Sequence, residues 1–171
     1  MGSSMLNNDQ QAIIIKETEK YIALASQLYK RKFESLPITF DLTGHTIGMY
    51  KRVMQGRVIR YNATVFAKYF EENVRDTIPH EVAHYIVDMQ YVRKSTRPHG
   101  AEWKSVMADF GANDNRTANF DLSDIPQRQY STIPYGCSCQ QHQLGIRRHN
   151  KVIKRKARYF CRECGELLTA I

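Results

Sequence analysis

His80-Glu81-Val82-Ala83-His84 is the stretch whose reading decides the fold and chemistry of this chain. On a helix, residues four apart lie on one face, because each residue advances the helix by about 100°. His80 and His84 can therefore present their rings to a single metal ion. Glu81 is rotated about 100° from His80, beside the ion without ligating it. A carboxylate there can take a proton from the water that a zinc ion activates.

The flanking residues predict the helix. Asp76 or Thr77 is the expected cap, and Pro79 falls in the first turn, where its missing N–H is no loss. Ile78, Val82, Ala83, Ile86 and Val87 form the core-facing stripe. Catalytic zinc needs a third protein ligand and an open position. Two candidates follow: His99, between Pro98 and Gly100 and fifteen residues after His84, and Glu102, one helical turn further on. Imidazole suits zinc, which favours His99 and leaves Glu102 to orient a histidine ring. The metzincin spacing is absent, since Val87 and Gln90 occupy the positions of its glycine and third histidine. Tyr61, Tyr85, Tyr91 and His45 are candidates for stabilising an oxyanion.

Working outward, residues 9–33 carry apolar positions at three- and four-residue steps and predict a helix. Short alternating stretches at 38–42, 47–50 and 57–61 predict strands of a small antiparallel sheet. A short helix is expected from about Thr64 to Glu72, and another from Gly100 to Phe110, with Trp103, Val106 and Met107 inward and Gly111 as the stop. Residues 93–99 read as a polar loop, and 112–134 as polar connecting chain. The predicted organisation is α+β. Residues 1–8 form a tag remnant and disordered start, 9–124 a metalloprotease core, 125–134 a linker and 135–171 a basic zinc ribbon.

Charge separates the two ends of the chain. The formal net charge is +8, and residues 125–171 hold nine Lys/Arg against only Glu163 and Glu166. Such asymmetry predicts a polyanionic partner, most simply nucleic acid. All four cysteines lie in the same segment, as Cys137-Ser138-Cys139 and Cys161-Arg162-Glu163-Cys164-Gly165. Without a secretory signal, paired cysteines are expected as metal ligands, here a structural zinc. His142 competes with a cysteine for the fourth ligand place. The intervening stretch reads as a hairpin with a basic turn. Its Arg147, Arg148, Lys151, Lys154, Arg155, Lys156 and Arg158, with Tyr159 and Phe160 adjacent, suit phosphate contacts and base stacking. Binding to DNA, single- or double-stranded, would then be non-specific. No apolar run approaches a membrane span, so the expected location is the cytosol.

These motifs together resemble the SprT family. The resemblance runs from about Gln11 onward and rests on His80-Glu81-Val82-Ala83-His84, on Pro98-His99-Gly100-Ala101-Glu102-Trp103, and on Cys137 to Leu144 running into Arg147-Arg148-His149-Asn150. Cys161-Arg162-Glu163-Cys164-Gly165 also fits. It implies a zincin-like core, zinc on His80, His84 and His99, and Glu81 as the catalytic base. Eukaryotic relatives are DNA-dependent proteases that degrade proteins crosslinked to DNA, so the resemblance implies DNA and DNA-bound proteins as partners, in the bacterial cytosol or nucleoid. A non-catalytic, zinc-dependent DNA-binding protein is the rival reading, and a fourth protein ligand on the His80–His84 metal would favour it. A peptidase or amidase of small substrates is a second rival.

Overall fold

The computed structural model describes residues 6–92, 96–115, 119–126 and 130–171. The chain divides into two compact units, Met1–Gln127 and Arg128–Ile171. Of the expected start over 1–8, residues 1–5 lie outside the described residues, while residues 6–8 are structured. Leu6 is buried, Asn7 caps the first helix, and α1 begins at Asn8.

In the first unit, α1 (Asn8–Leu28) opens with a capping box. The Gln10 amide donates to the Asn7 side chain at 2.8 Å, and the Asn7 amide donates to the Gln10 side chain at 3.1 Å. Ile14, Thr18, Ile22 and Ala25 face the core at helical spacing. The Thr18 hydroxyl satisfies itself on the Ile14 carbonyl (2.7 Å) and on the buried Tyr61 hydroxyl (3.0 Å).

Three strands follow: β1 (Ile38–Thr39), β2 (Gly48–Val53) and β3 (Gly56–Tyr61), in the order β1-β3-β2. β2 and β3 form the expected antiparallel hairpin, but β1 is only two residues long and pairs parallel with β3. The sheet is thus mixed. Asp41 is diverted from the ladder by side-chain bonds to Thr39 and Arg60, which shortens the strand expected over 38–42. β2 is the edge strand next to the motif helix.

The helix expected over 64–72 is broken into α2 (Ala63–Lys68) and α3 (Phe70–Glu72), and a π-helical turn, Asn73–Thr77, leads directly into α4 (Ile78–Gln90). Neither Asp76 nor Thr77 caps α4. Thr77 has helical dihedrals and spends its hydroxyl on the Asn73 side chain at 2.8 Å, while Asp76 pairs with Arg75. Such widened turns concentrate at functional sites. α4 buries Ile78, Val82, Ala83, Tyr85, Ile86 and Val87 against α1 and the sheet. α5 (Ala101–Asp109) buries Trp103, Val106 and Met107, and Gly111 ends it in the left-handed conformation (φ 63°). Part of the loop expected over 93–99 lies outside the described residues.

The chain after α5 is more than a connector. Phe120 stacks on Tyr69 at 4.3 Å, Lys68 reaches the Asp121 carbonyl and the Asp124 carboxylate, and Ile125 is buried. Residues 119–126 thus form a strap packed on the first unit.

The second unit has a three-stranded antiparallel sheet, order β5-β4-β6, from β4 (Thr132–Gly136), β5 (Gln141–Gly145) and β6 (Thr169–Ala170). The basic hairpin expected between the cysteine pairs is instead a helix, α6 (Ile146–Ile153). Ile146, His149 and Val152 recur at three-residue steps and are half-buried, and His149 Nδ1 meets the buried Tyr135 hydroxyl at 3.1 Å. This stripe packs against the sheet and leaves the cations outward.

Candidate active site

α4 carries His80 and His84, and the loop before α5 carries His99. Their Nε2 atoms form a triangle, with edges of 3.2 Å (His80–His84), 3.1 Å (His84–His99) and 2.9 Å (His80–His99). Three imidazole nitrogens held tetrahedrally by zinc at about 2.0–2.1 Å would lie about 3.3 Å apart. The convergent nitrogens fit a metal ion, with a fourth direction left over. Glu102 is not part of this cluster.

Two features aim the rings. His99 adopts a left-handed backbone (φ 56°), unusual for a residue with a Cβ. Trp103, one helical turn on, packs its buried indole against all three rings, with centroids at 4.7, 5.8 and 4.8 Å from His80, His84 and His99. Its N–H donates to the His80 carbonyl at 3.3 Å. Burial and the neighbouring His99 depress the His80 pKa to about 4. Burial, with His80 and His99, depresses that of His84 to about 3. Both rings are neutral at physiological pH, the state a metal requires.

Glu81 is 6% exposed, and burial raises its pKa to about 7, opposed by one hydrogen bond from the Tyr50 amide. That amide donates to Glu81 Oε2 at 2.6 Å. The Tyr50 hydroxyl donates to Asp88 Oδ2 at 2.5 Å, where Arg57 Nε also donates at 2.8 Å, and Arg52 pairs with the other oxygen of Asp88. Glu81 and Asp88 are seven residues apart on α4, so Tyr50 grips one helix face at two points.

His80 and Glu81 lie in a cleft of about 760 Å³. Its walls come from Ile47 and the first residue of β2, Gly48, from the π turn (Arg75, Asp76, Thr77) and from the segment before and within the strap (Asn113, Phe120, Leu122). Of the four oxyanion candidates only His45 lines this cleft, with Nε2 at 3.0 Å from the Ile125 carbonyl. The hydroxyls of Tyr61 and Tyr85 are engaged by Thr18 and the Glu34 carbonyl. Sequence reasoning missed Gly48, Tyr50, Asp88 and the strap. A glycine inside a strand pattern was the available signal for the first, since it often marks a close backbone approach.

In the second unit the sulfurs of Cys137, Cys139, Cys161 and Cys164 lie within 4.8 Å of one another. Cys139 Sγ is 3.4 Å from Cys137 and 3.6 Å from Cys161. Zinc with four thiolates at about 2.3 Å sets sulfurs about 3.8 Å apart, so the set fits such an ion. His142 Nε2 lies 3.5 Å from Cys137 Sγ, beside the four sulfurs. Backbone amides of Cys164 and Glu163, with the Gln140 side chain, hold the Cys161 thiol far below its usual range. The side chains of Arg147, Arg148, Lys151, Lys154, Arg155, Lys156 and Arg158 are exposed on and after α6, and the Arg148 guanidinium lies 5.8 Å over the Tyr159 ring.

The SprT-like family matches residues 18–124. The chain is 40% identical over 148 residues to Protein SprT of Vibrio parahaemolyticus, covering 86% of each chain. It is 35% identical over 162 residues to Protein SprT of Escherichia fergusonii and 33% identical over 161 residues to that of Klebsiella pneumoniae, covering 94% of this chain and 93% of each relative. No solved structure matches the chain.

Proposed function

The chain belongs to the SprT-like family, and from that premise we propose that it is a zinc-dependent metalloprotease with a zincin-like core, acting on DNA-associated or DNA-crosslinked proteins. The observation that carries the proposal is the triangle of His80, His84 and His99 nitrogens, with buried Glu81 beside it on the wall of an open cleft. A zinc ion held there supplies Lewis acidity, polarising a peptide carbonyl and making water a competent nucleophile near neutral pH.

The chain's own groups do the rest. Glu81, its Oε2 engaged by Tyr50, uses its other carboxylate oxygen to accept a proton from the attacking water. Having taken that proton, it can return it to the amine as the C–N bond breaks. The cleft opens beside Gly48, the first residue of the edge strand β2.

The second unit is a zinc ribbon whose closed cysteine site folds the module. Its exposed cations make phosphate contacts with DNA, single- or double-stranded and without sequence preference, and so bring the cleft to DNA-bound substrates. Among the described residues no helix is long and apolar enough to cross a membrane. Thiolate ligands persist in a reducing compartment, which supports the bacterial cytosol and nucleoid as its location.

The test is incubation of the zinc-loaded chain with a basic protein bound to DNA. Cleavage that a chelator stops and added zinc restores is expected. Intact substrate under all conditions would contradict the proposal.

A further inference from the structure

β2 carries a second piece of the site. The Asn62 amide donates to the Ile47 carbonyl at 2.8 Å, so the antiparallel alternation leaves Gly48 and Tyr50 with their backbone N–H groups pointing away from β3. That free edge faces α4. The Tyr50 amide uses it to hold Glu81 Oε2 at 2.6 Å.

Gly48 has no turn to make, since it lies in a regular strand and its backbone is not left-handed. Its role is spatial. A Cβ at this position would stand 2.8 Å from Glu81 Cγ, 2.8 Å from Glu81 Oε1 and 2.8 Å from Thr77 Cγ2. The Glu81 side chain therefore lies flush on the strand, in space that only glycine leaves open. Of these neighbours the Glu81 carboxylate is the flexible one. A methyl group there displaces it and lengthens its bond to Tyr50, and it also pushes on the Thr77 methyl.

We infer that Gly48 is a positioning residue for the catalytic carboxylate: together with the Tyr50 amide it forms a seat that fixes where Glu81 meets the attacking water. The inference rests on the protease reading above, which assigns Glu81 its role. It adds that the strand edge, and not α4 alone, sets the carboxylate position. Tyr50 is held in turn by its hydroxyl bond to Asp88 on the same helix.

The experiment uses the full zinc-loaded chain and the variants Gly48→Ala, Glu81→Asp, the double variant and Glu81→Gln. Gly48→Ala should lower kcat about 100-fold or more, the scale of a misplaced general base, with KM and zinc content unchanged. Both changes act by moving the same carboxylate off its position, so the double variant should lose much less than the product of the two single losses. Wild-type kcat in Gly48→Ala, or multiplicative losses in the double variant, would overturn the inference.

An independent readout is the Tyr50 amide proton in a ¹H–¹⁵N spectrum. A short bond to a carboxylate places it downfield, and Gly48→Ala and Glu81→Gln should both move it upfield. An amide unmoved by Glu81→Gln overturns the seat even if Gly48→Ala does not fold. If the wild-type chain cleaves nothing, the protease reading fails while the amide measurement still decides the geometry.

Discussion

The Nε2 atoms of His80 and His99 stand 2.9 Å apart, although nineteen residues separate them in the chain. Helix spacing explains why His80 and His84 meet. The close approach of His99 depends on a left-handed backbone and on Trp103 packed beneath the rings. His99→Ala should therefore reduce bound zinc from two to one per chain, as measured by atomic emission after dialysis, with the ribbon ion retained. Two zinc ions remaining would place the third ligand elsewhere.

The burial of Glu81 has a pH signature in the metal-free chain. Its folded pKa is about 7, against an ordinary value of 4.5. The folded chain keeps a proton that the unfolded chain has lost, so this contribution to stability is intact below 4.5 and disappears as the pH rises through about 7. His80 and His84 run the other way, with folded values of about 4 and about 3, so their contribution is present above 6.5 and lost as the pH falls toward those values. Comparison with Glu81→Gln isolates the carboxylate. Between about pH 4 and about pH 8 the variant should gain about 3 kcal/mol relative to wild type in urea titrations. A constant difference across that range would contradict a buried, destabilised carboxylate.

Asp88 joins Tyr50, Arg57 and Arg52 to the motif helix with a side chain only 9% exposed. Asp88→Ala leaves these partners without their acceptor and should cost about 2–3 kcal/mol, less than a fully buried pair because both arginines reach solvent. Chemical denaturation measures it, and a loss below about 0.5 kcal/mol, the scale of an ordinary surface change, would show that the cluster is ornamental to stability.

At the cysteine site, His142 hydrogen-bonds Cys137 beside the four sulfurs. His142→Ala should retain the ribbon zinc, whereas Cys139→Ser should release it and unfold the second unit. Zinc content with circular dichroism separates the two, and loss of zinc in His142→Ala would make the histidine a ligand.

Neutralising Arg147, Arg148, Lys154 and Arg155 together should weaken DNA binding and flatten the dependence of log K on log salt by up to about three to four units for duplex DNA. Fluorescence anisotropy across a salt series reads it. An unchanged slope would move the DNA contact off α6 and the residues after it.

The legibility of this chain differs by element. α4, α5 and the pairing of His80 with His84 follow from three- and four-residue periodicity, which the sequence displays directly. The cysteine pairs were legible from spacing, as was the third histidine from its place before a helix. The basic segment was misread as a hairpin because its charges mask the stripe of Ile146, His149 and Val152, which becomes meaningful only against β4 and β5. The seat of Glu81 was hidden for another reason. Gly48, Tyr50 and Asp88 act through long-range contacts, and a backbone amide leaves no mark in side-chain identity. The strap failed similarly: polar composition suggested a linker, while its anchors lie on Lys68 and Tyr69, more than fifty residues away.

The most direct test of the central claim is the cleavage rate of Glu81→Gln on a DNA-bound protein, with both zinc ions shown to be in place. Glutamine keeps the size of the side chain and its bond from Tyr50 but cannot accept the proton. A loss of about 1,000-fold or more is the predicted result, within the range that general-base catalysis contributes. A zinc-loaded Glu81→Gln chain that cleaves at the wild-type rate would contradict the account.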